Sequence, residues 1–96
     1  MTNYNIIKTI KLKSYHQSTG NTHHYRSGQE LTNIRQLKIV QIEPEKGFYL
    51  LYFDEKDNEL TDTLHSTLED AFKQAEFEFN IKPDEWEDIH IEKEYK

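Results

Sequence analysis

Gln36-Leu37-Lys38-Ile39-Val40-Gln41-Ile42, then Glu43-Pro44-Glu45-Lys46-Gly47, then Phe48-Tyr49-Leu50-Leu51-Tyr52-Phe53: the reading of this stretch decides the fold. β-Branched and aromatic residues dominate both flanks, and such side chains suit a pleated, half-buried surface. The five residues between the flanks read as a reversal, in which Pro44 sets a fixed φ and Gly47 supplies a positive one. A β-hairpin is therefore expected. Its second arm is apolar throughout, with Phe48, Leu50 and Tyr52 pointing one way and Tyr49, Leu51 and Phe53 the other, which places it centrally in a sheet.

Downstream, Asp54 to Glu59 (DEKDNE) makes a second turn into a strand over Leu60 to His65, completing a three-stranded meander. Ser66 is expected to cap a helix over Thr67 to Phe79, with Glu69 reaching back as the reciprocal member of a capping box. At about 100° per residue, Leu68, Phe72, Ala75 and Phe79 fall within roughly 60° of one another, with Ala71 on their flank, while Phe77 falls about 180° away. Pro83 marks the stop, Asp84-Glu85-Trp86 reads as one capped turn, and Asp88 to Tyr95 alternates as a last strand. Upstream, Asn5 to Lys13 reads as a strand with Ile6, Ile10 and Leu12 on one face and Ile7, Thr9 and Lys11 on the other.

Between them, Ser14 to Asn33 is polar, has no sustained period, and is expected to be a long loop with a helical last turn. The order β-β-β-β-α-β predicts an α+β two-layer sandwich: one mainly antiparallel sheet covered on one face by one helix. With 96 residues, a single domain spanning 1–96 is expected.

Charge is sorted along the chain. Residues 1–53 hold seven Lys/Arg against three Asp/Glu, and residues 54–96 hold five against fifteen, so +4 and −10 make up the net −6. A surface of that sign attracts basic protein and repels nucleic acid. Cysteine is absent, so neither a disulfide nor a thiolate nucleophile or ligand is available. The first residues, MTNYNIIKTIKLK, never run more than two apolar residues together, and no stretch approaches the length of a membrane span, so a cytoplasmic protein without membrane contact is expected.

Motifs for catalysis are weak. His16, His23 and His24 share one loop with Arg26, but adjacent histidines in extended chain point apart and no HxH or HxxxH pair exists, so no metal site is expected. Acid-base cleavage of a phosphodiester by His65, His90 or a loop histidine meets the repulsion of the net charge. Pro83-Asp84 with Glu94-x-Lys96 has the spacing of a metal-dependent nuclease, yet Asp84 falls in a turn and Lys96 ends the chain. The expected protein is neither an enzyme nor a cofactor carrier.

Thr61-Asp62-Thr63-Leu64-His65-Ser66-Thr67-Leu68-Glu69-Asp70-Ala71-Phe72, continuing through Gln74-Ala75-Glu76-Phe77-Glu78-Phe79 to Trp86, resembles a pattern of small stand-alone bacterial proteins, among them immunity proteins. The resemblance implies a single acidic domain that protects its producer by binding a toxin, commonly a nuclease, and covering its active site. Carboxylates presented together can stand where phosphates would lie. Glu69, Asp70, Glu76, Glu78, Asp84, Glu85, Glu87 and Asp88 all lie on the helix or its exit. The candidate partner-binding surface is Glu69, Asp70, Glu76 and Phe77 with Asp84, Glu85, Glu87 and Asp88: steering charge around an outward aromatic anchor. A binding or scaffold module of another pathway, perhaps as a homodimer rather than a monomer, is the alternative, and a small hydrolase the third.

Overall fold

A computed structural model describes residues 2–43 and 47–95, with side chains placed over 5–42 and 47–89. Five long strands, β1 (Thr2–Lys11), β4 (Gln36–Glu43), β5 (Gly47–Phe53), β6 (Glu59–His65) and β7 (Glu87–Tyr95), form one antiparallel sheet in the order β6-β5-β4-β1-β7. Two short strands, β2 (Tyr25–Arg26) and β3 (Gln29–Glu30), pair only with each other. The helix α1 (Leu68–Phe79) lies on one face of the large sheet, followed by a 3₁₀ turn at Pro83–Glu85. This is the two-layer α+β sandwich that the periodicities require, with the β4-β5-β6 meander at one side of the sheet.

The alternation of β5 is satisfied inside the sheet, with Leu50 and Tyr52 fully buried under the helix, but β4 holds the central position instead. Leu37 and Ile39 of β4 join them, and the core closes with Ile10, Ile34, Ala71, Ala75, Phe79, Ile81 and Trp86. The two alanines, both at 0 % exposure, allow α1 to approach the sheet closely. Phe72 packs against Trp86 with the rings tilted and their centroids 5.8 Å apart.

Four local expectations are corrected. Ile6 does not share a face with Ile10 and Leu12: the register shifts between Ile6 and Lys8 in both pairings of β1, so Ile6 stands opposite Val40 on the face away from the helix while Ile7 packs toward the core. An extra residue at a bulge reverses the side-chain alternation beyond it. Gly47 does not have a positive φ; a Cβ there would meet Leu64 Cδ1 at 2.9 Å, a contact that the exposed Leu64 side chain can relieve by shifting. Residues 44–46, the rest of that turn, lie outside the described residues.

The helix cap is Thr67, not Ser66: its extended backbone (φ −134°) turns the hydroxyl to accept from the Asp70 N–H at 3.0 Å. At the other end Asn80 adopts the left-handed conformation (φ 58°) and its N–H donates to the Glu76 carbonyl, ending the helix before Pro83 is reached.

The 14–33 segment has no helical last turn. Ser27 and Gly28, both at positive φ (53° and 79°), form a tight reversal between β2 and β3. No described helix is long and apolar enough to cross a membrane.

Candidate functional site

The outer face of α1 carries Phe77, 51 % exposed, where the helical wheel places it. A helix leaves its last carbonyls without intrahelical partners, and here the 14–33 loop supplies donors. Thr19 Oγ1 (2.6 Å) and Asn21 Nδ2 (3.0 Å) donate to the Phe77 carbonyl, and the Thr19 N–H donates to the Glu78 carbonyl at 2.8 Å. The loop therefore wraps the C-terminal end of α1 and fixes the backbone that presents the ring.

The carboxylates assigned to this surface do not gather into one cluster. Glu69 and Asp70 stand at the start of α1, and Asp84, Glu85, Glu87 and Asp88 at its exit, about 15 Å further along the rise of the helix. Four of them have partners: Glu69 pairs with Lys73 (3.4 Å), Glu76 with Lys82 (2.6 Å), Asp88 with Lys8, and Glu85 with His16 (2.8 Å). Asp70, Asp84 and Glu87 are exposed and form no ion pair among the described residues. Glu78, grouped by sequence with the acidic exterior, is instead one of the most enclosed residues, at 2 % exposure.

Around Glu78 the fold builds a site that residue spacing did not announce. The Tyr52 hydroxyl of β5 donates to Glu78 Oε2, Gln74 Nε2 donates to the same oxygen at 3.0 Å, and His24 Nε2 meets Oε1. The His24 ring lies 4.6 Å from that of Tyr52. A carboxylate taken out of water needs every acceptor position occupied, and loop, helix and sheet each contribute a donor. Burial, and then the adjacent Glu78 charge, push the Tyr52 hydroxyl far above the ordinary phenol range, so it serves as a donor throughout the physiological pH range.

Two further histidines fasten the same segment. His16 is buried; its Nδ1 accepts from the Lys13 N–H at 2.9 Å, so the proton resides on Nε2 and is donated to Glu85 Oε1. Glu85 also accepts the Lys82 N–H at 2.7 Å with Oε2, tying the 3₁₀ turn to the loop. The Lys82 N–H, then the His16 side chain, hold the Glu85 carboxyl below the usual carboxylate range. His23 meets Glu30 across the small hairpin, and the bond to this carboxylate, with its charge, raises the imidazole above its ordinary value.

The signs of these shifts are opposite. The raised His23 favours the folded hairpin fully below the ordinary imidazole value of 6.5 and loses that contribution as pH rises through its folded value. The lowered Glu85 favours the folded turn above the ordinary glutamate value of 4.5 and loses it as pH falls through its folded value. An NMR titration is expected to place the His23 midpoint above 6.5, with Glu30→Gln removing the elevation. Amide protection at 82–85 is expected to fall only below the ordinary carboxylate range; early loss would contradict the Glu85 anchoring.

Between the loop and the end of α1 lies an open cleft of about 510 Å³, walled by Leu12, Leu31, Ile34 and Phe79, with His24 and Glu78 also in its lining. Among the described residues no three metal-ligating side chains come together. The imidazoles of His16, His23 and His24 in its lining are bonded to carboxylates and hold the cleft in shape. The signal for Glu78 was present in the helical wheel, about 20° from Ala71; the loop histidines had no comparable periodic signal.

The fold and these two surfaces define a small α+β protein with one helix-borne aromatic and one loop-covered cleft. Compared with known proteins, the chain matches no family model, no curated protein and no solved structure.

Proposed function

We propose that this chain is a non-catalytic binding protein of the immunity type, a cytoplasmic inhibitor that neutralises a cognate basic toxin domain, such as a nuclease. Its contact is the outer face of α1. The observation that carries this reading is Phe77: a large ring half in water, on a helix whose backbone is pinned at that residue by Thr19 and Asn21. Exposed aromatics on rigid backbone lose little entropy on docking and act as hot spots.

Asp70, Asp84 and Glu87, which form no ion pair among the described residues, supply negative charge; Glu69, Glu76 and Asp88 exchange their present partners for a basic surface, and Glu85 stays at its rim, held by His16. Charge of this kind governs association rate more than the lifetime of a complex. The positions at the start of α1 and those at its exit therefore steer, while Phe77 anchors.

The test begins with the toxin-like reading frame expected beside this one and co-purification of its C-terminal domain. Phe77→Ala is expected to weaken that complex by roughly 30-fold or more, about 2 kcal/mol, while leaving thermal unfolding unchanged. Reversing Glu69, Asp70 and Glu76 is expected to slow association with a strong salt dependence. Unaltered affinity in both variants would remove this face from the function.

A second reading, self-association, is favoured by the sheet face away from the helix, where Leu64 of edge strand β6 is 61 % exposed beside half-buried Tyr49. Light scattering separates the two: a dimer that Leu64→Asp dissociates supports the scaffold reading, and a monomer at high concentration excludes it.

A further inference from the structure

We propose that the cleft between residues 12–35 and the C-terminal end of α1 binds a small organic anion, a carboxylate or phosphate held by Lys13 and Arg35 with an apolar body against Leu12, Leu31, Ile34 and Phe79. This site is separate from the partner-binding face and does not depend on it.

Size and wall chemistry come first. A volume of about 510 Å³ is that of a small-molecule site, and such sites combine apolar walls with a few polar groups that fix orientation. Ile34 and Phe79 are held rigidly by the core at 6 % and 7 % exposure, and Leu12 and Leu31 are half-buried against it. The wall is thus built by the fold and needs no rearrangement to receive an apolar group.

The sign of the ligand follows from charge pairing. Two carboxylates line the cleft, and both are already engaged: Glu30 by His23, and Glu78 by His24, Tyr52 and Gln74. The carbonyls of Phe77 and Glu78 at the negative end of α1 are likewise occupied by Thr19 and Asn21. Lys13 and Arg35, by contrast, have no carboxylate partner among the described residues. In a chain of net charge −6, these two fixed cations are the charged groups of the lining left free to pair with an added anion.

The main-chain segments that carry the two cations are adjacent. The Leu12 N–H donates to the Arg35 carbonyl at 2.8 Å, which sets the two segments side by side just beyond the last β1–β4 pair. Arg35 Nη1 donates to the Ile34 carbonyl at 2.9 Å, restraining the guanidinium and leaving its remaining N–H groups available for a planar, two-oxygen acceptor. A ligand cation would face Lys13 and Arg35 with both carboxylates of the lining already held by histidines, so an anion is the better fit.

The full-length protein, followed by ¹H–¹⁵N NMR, is titrated separately with sodium hexanoate, hexyl phosphate, inorganic phosphate and hexylammonium chloride at constant ionic strength. Saturable shifts are expected for the two anions with a hexyl chain, centred on residues 12–35 and 77–80, and none for hexylammonium. The tighter of hexanoate and hexyl phosphate identifies the headgroup, and weaker binding of inorganic phosphate assigns the apolar wall its share.

Lys13→Gln and Arg35→Gln are each expected to lower affinity about tenfold, as loss of one charge-assisted contact implies. Both side chains are exposed, so folding is unaffected, and Lys56→Gln in the remote 54–58 turn serves as the unaltered control. Absence of saturable shifts with either hexyl anion, equal response to hexylammonium, inorganic phosphate binding as tightly as hexyl phosphate, or unchanged affinity in the double variant would overturn the proposal.

Discussion

Glu78→Ala is expected to cost about 3 kcal/mol of stability and to free the loop from the end of α1. The substitution removes one carboxylate but strands three donors. The Tyr52 hydroxyl, on a residue at 0 % exposure, loses its acceptor inside the core, and His24 and Gln74 lose theirs at its margin. An unpaired polar group in a dry interior carries its full desolvation penalty, which is why deleting one member of a buried network costs more than the network contributes net.

Glu78→Gln keeps an acceptor for Tyr52 or His24 while introducing an amide that opposes another donor, so about half that loss is expected. Urea denaturation measures the first effect, and hydrogen exchange at 19–30 the second. A change below about 0.5 kcal/mol with loop amides still protected would contradict the role given to this carboxylate.

Leu50→Ala is expected to cost about the same, roughly 3–4 kcal/mol, by a different route. Leu50 is fully buried on β5, faces the helix, and stands between Ile39 of β4 and Thr63 of β6 in the register. Truncation removes apolar area and leaves a cavity that a five-stranded sheet cannot collapse without disturbing Leu37, Ile39 and Tyr52.

For a domain of this size that is a large share of a total of roughly 5–15 kcal/mol. The two variants differ in where they act. Leu50→Ala lowers protection across the sheet and helix together, and Glu78→Ala lowers it first in the loop. Chemical denaturation with residue-resolved exchange distinguishes them, and identical exchange patterns would refute the separation.

The acidic exterior illustrates how pairing alters a sequence-level charge count. Fifteen carboxylates in residues 54–96 suggest a continuous negative face, yet Lys8 reaches Asp88, Lys38 reaches Asp57, and two histidines of the first half, His16 and His24, engage Glu85 and Glu78. Both histidine pairs join the halves of the chain across more than fifty residues. What remains for a partner is a smaller set, Asp70 in the first turn of α1 and Asp84 and Glu87 beyond its C-terminal end. Exposed ion pairs such as Glu69–Lys73 are worth little and exchange readily, so they remain usable at an interface, whereas Glu78 does not.

The amino-acid order alone determined the meander, the helix and its outward Phe77, because periods of 2 and 3.6 are written into neighbouring residues and need no knowledge of the rest of the chain. It also determined the α+β class, since one amphipathic helix among five apolar strands has few other ways to cover its stripe. Tertiary structure alone decided the face of Ile6, because a bulge belongs to the pairing of β1 with β4 and β7 and not to β1 itself. It decided between Ser66 and Thr67 as the cap, where two adjacent hydroxyls are chemically equivalent until the helix phase is set by packing. The burial of Glu78 and the fastening of the polar loop were its doing as well: both depend on donors from Tyr52 and His24 that meet only after the sheet, the helix and the loop have docked.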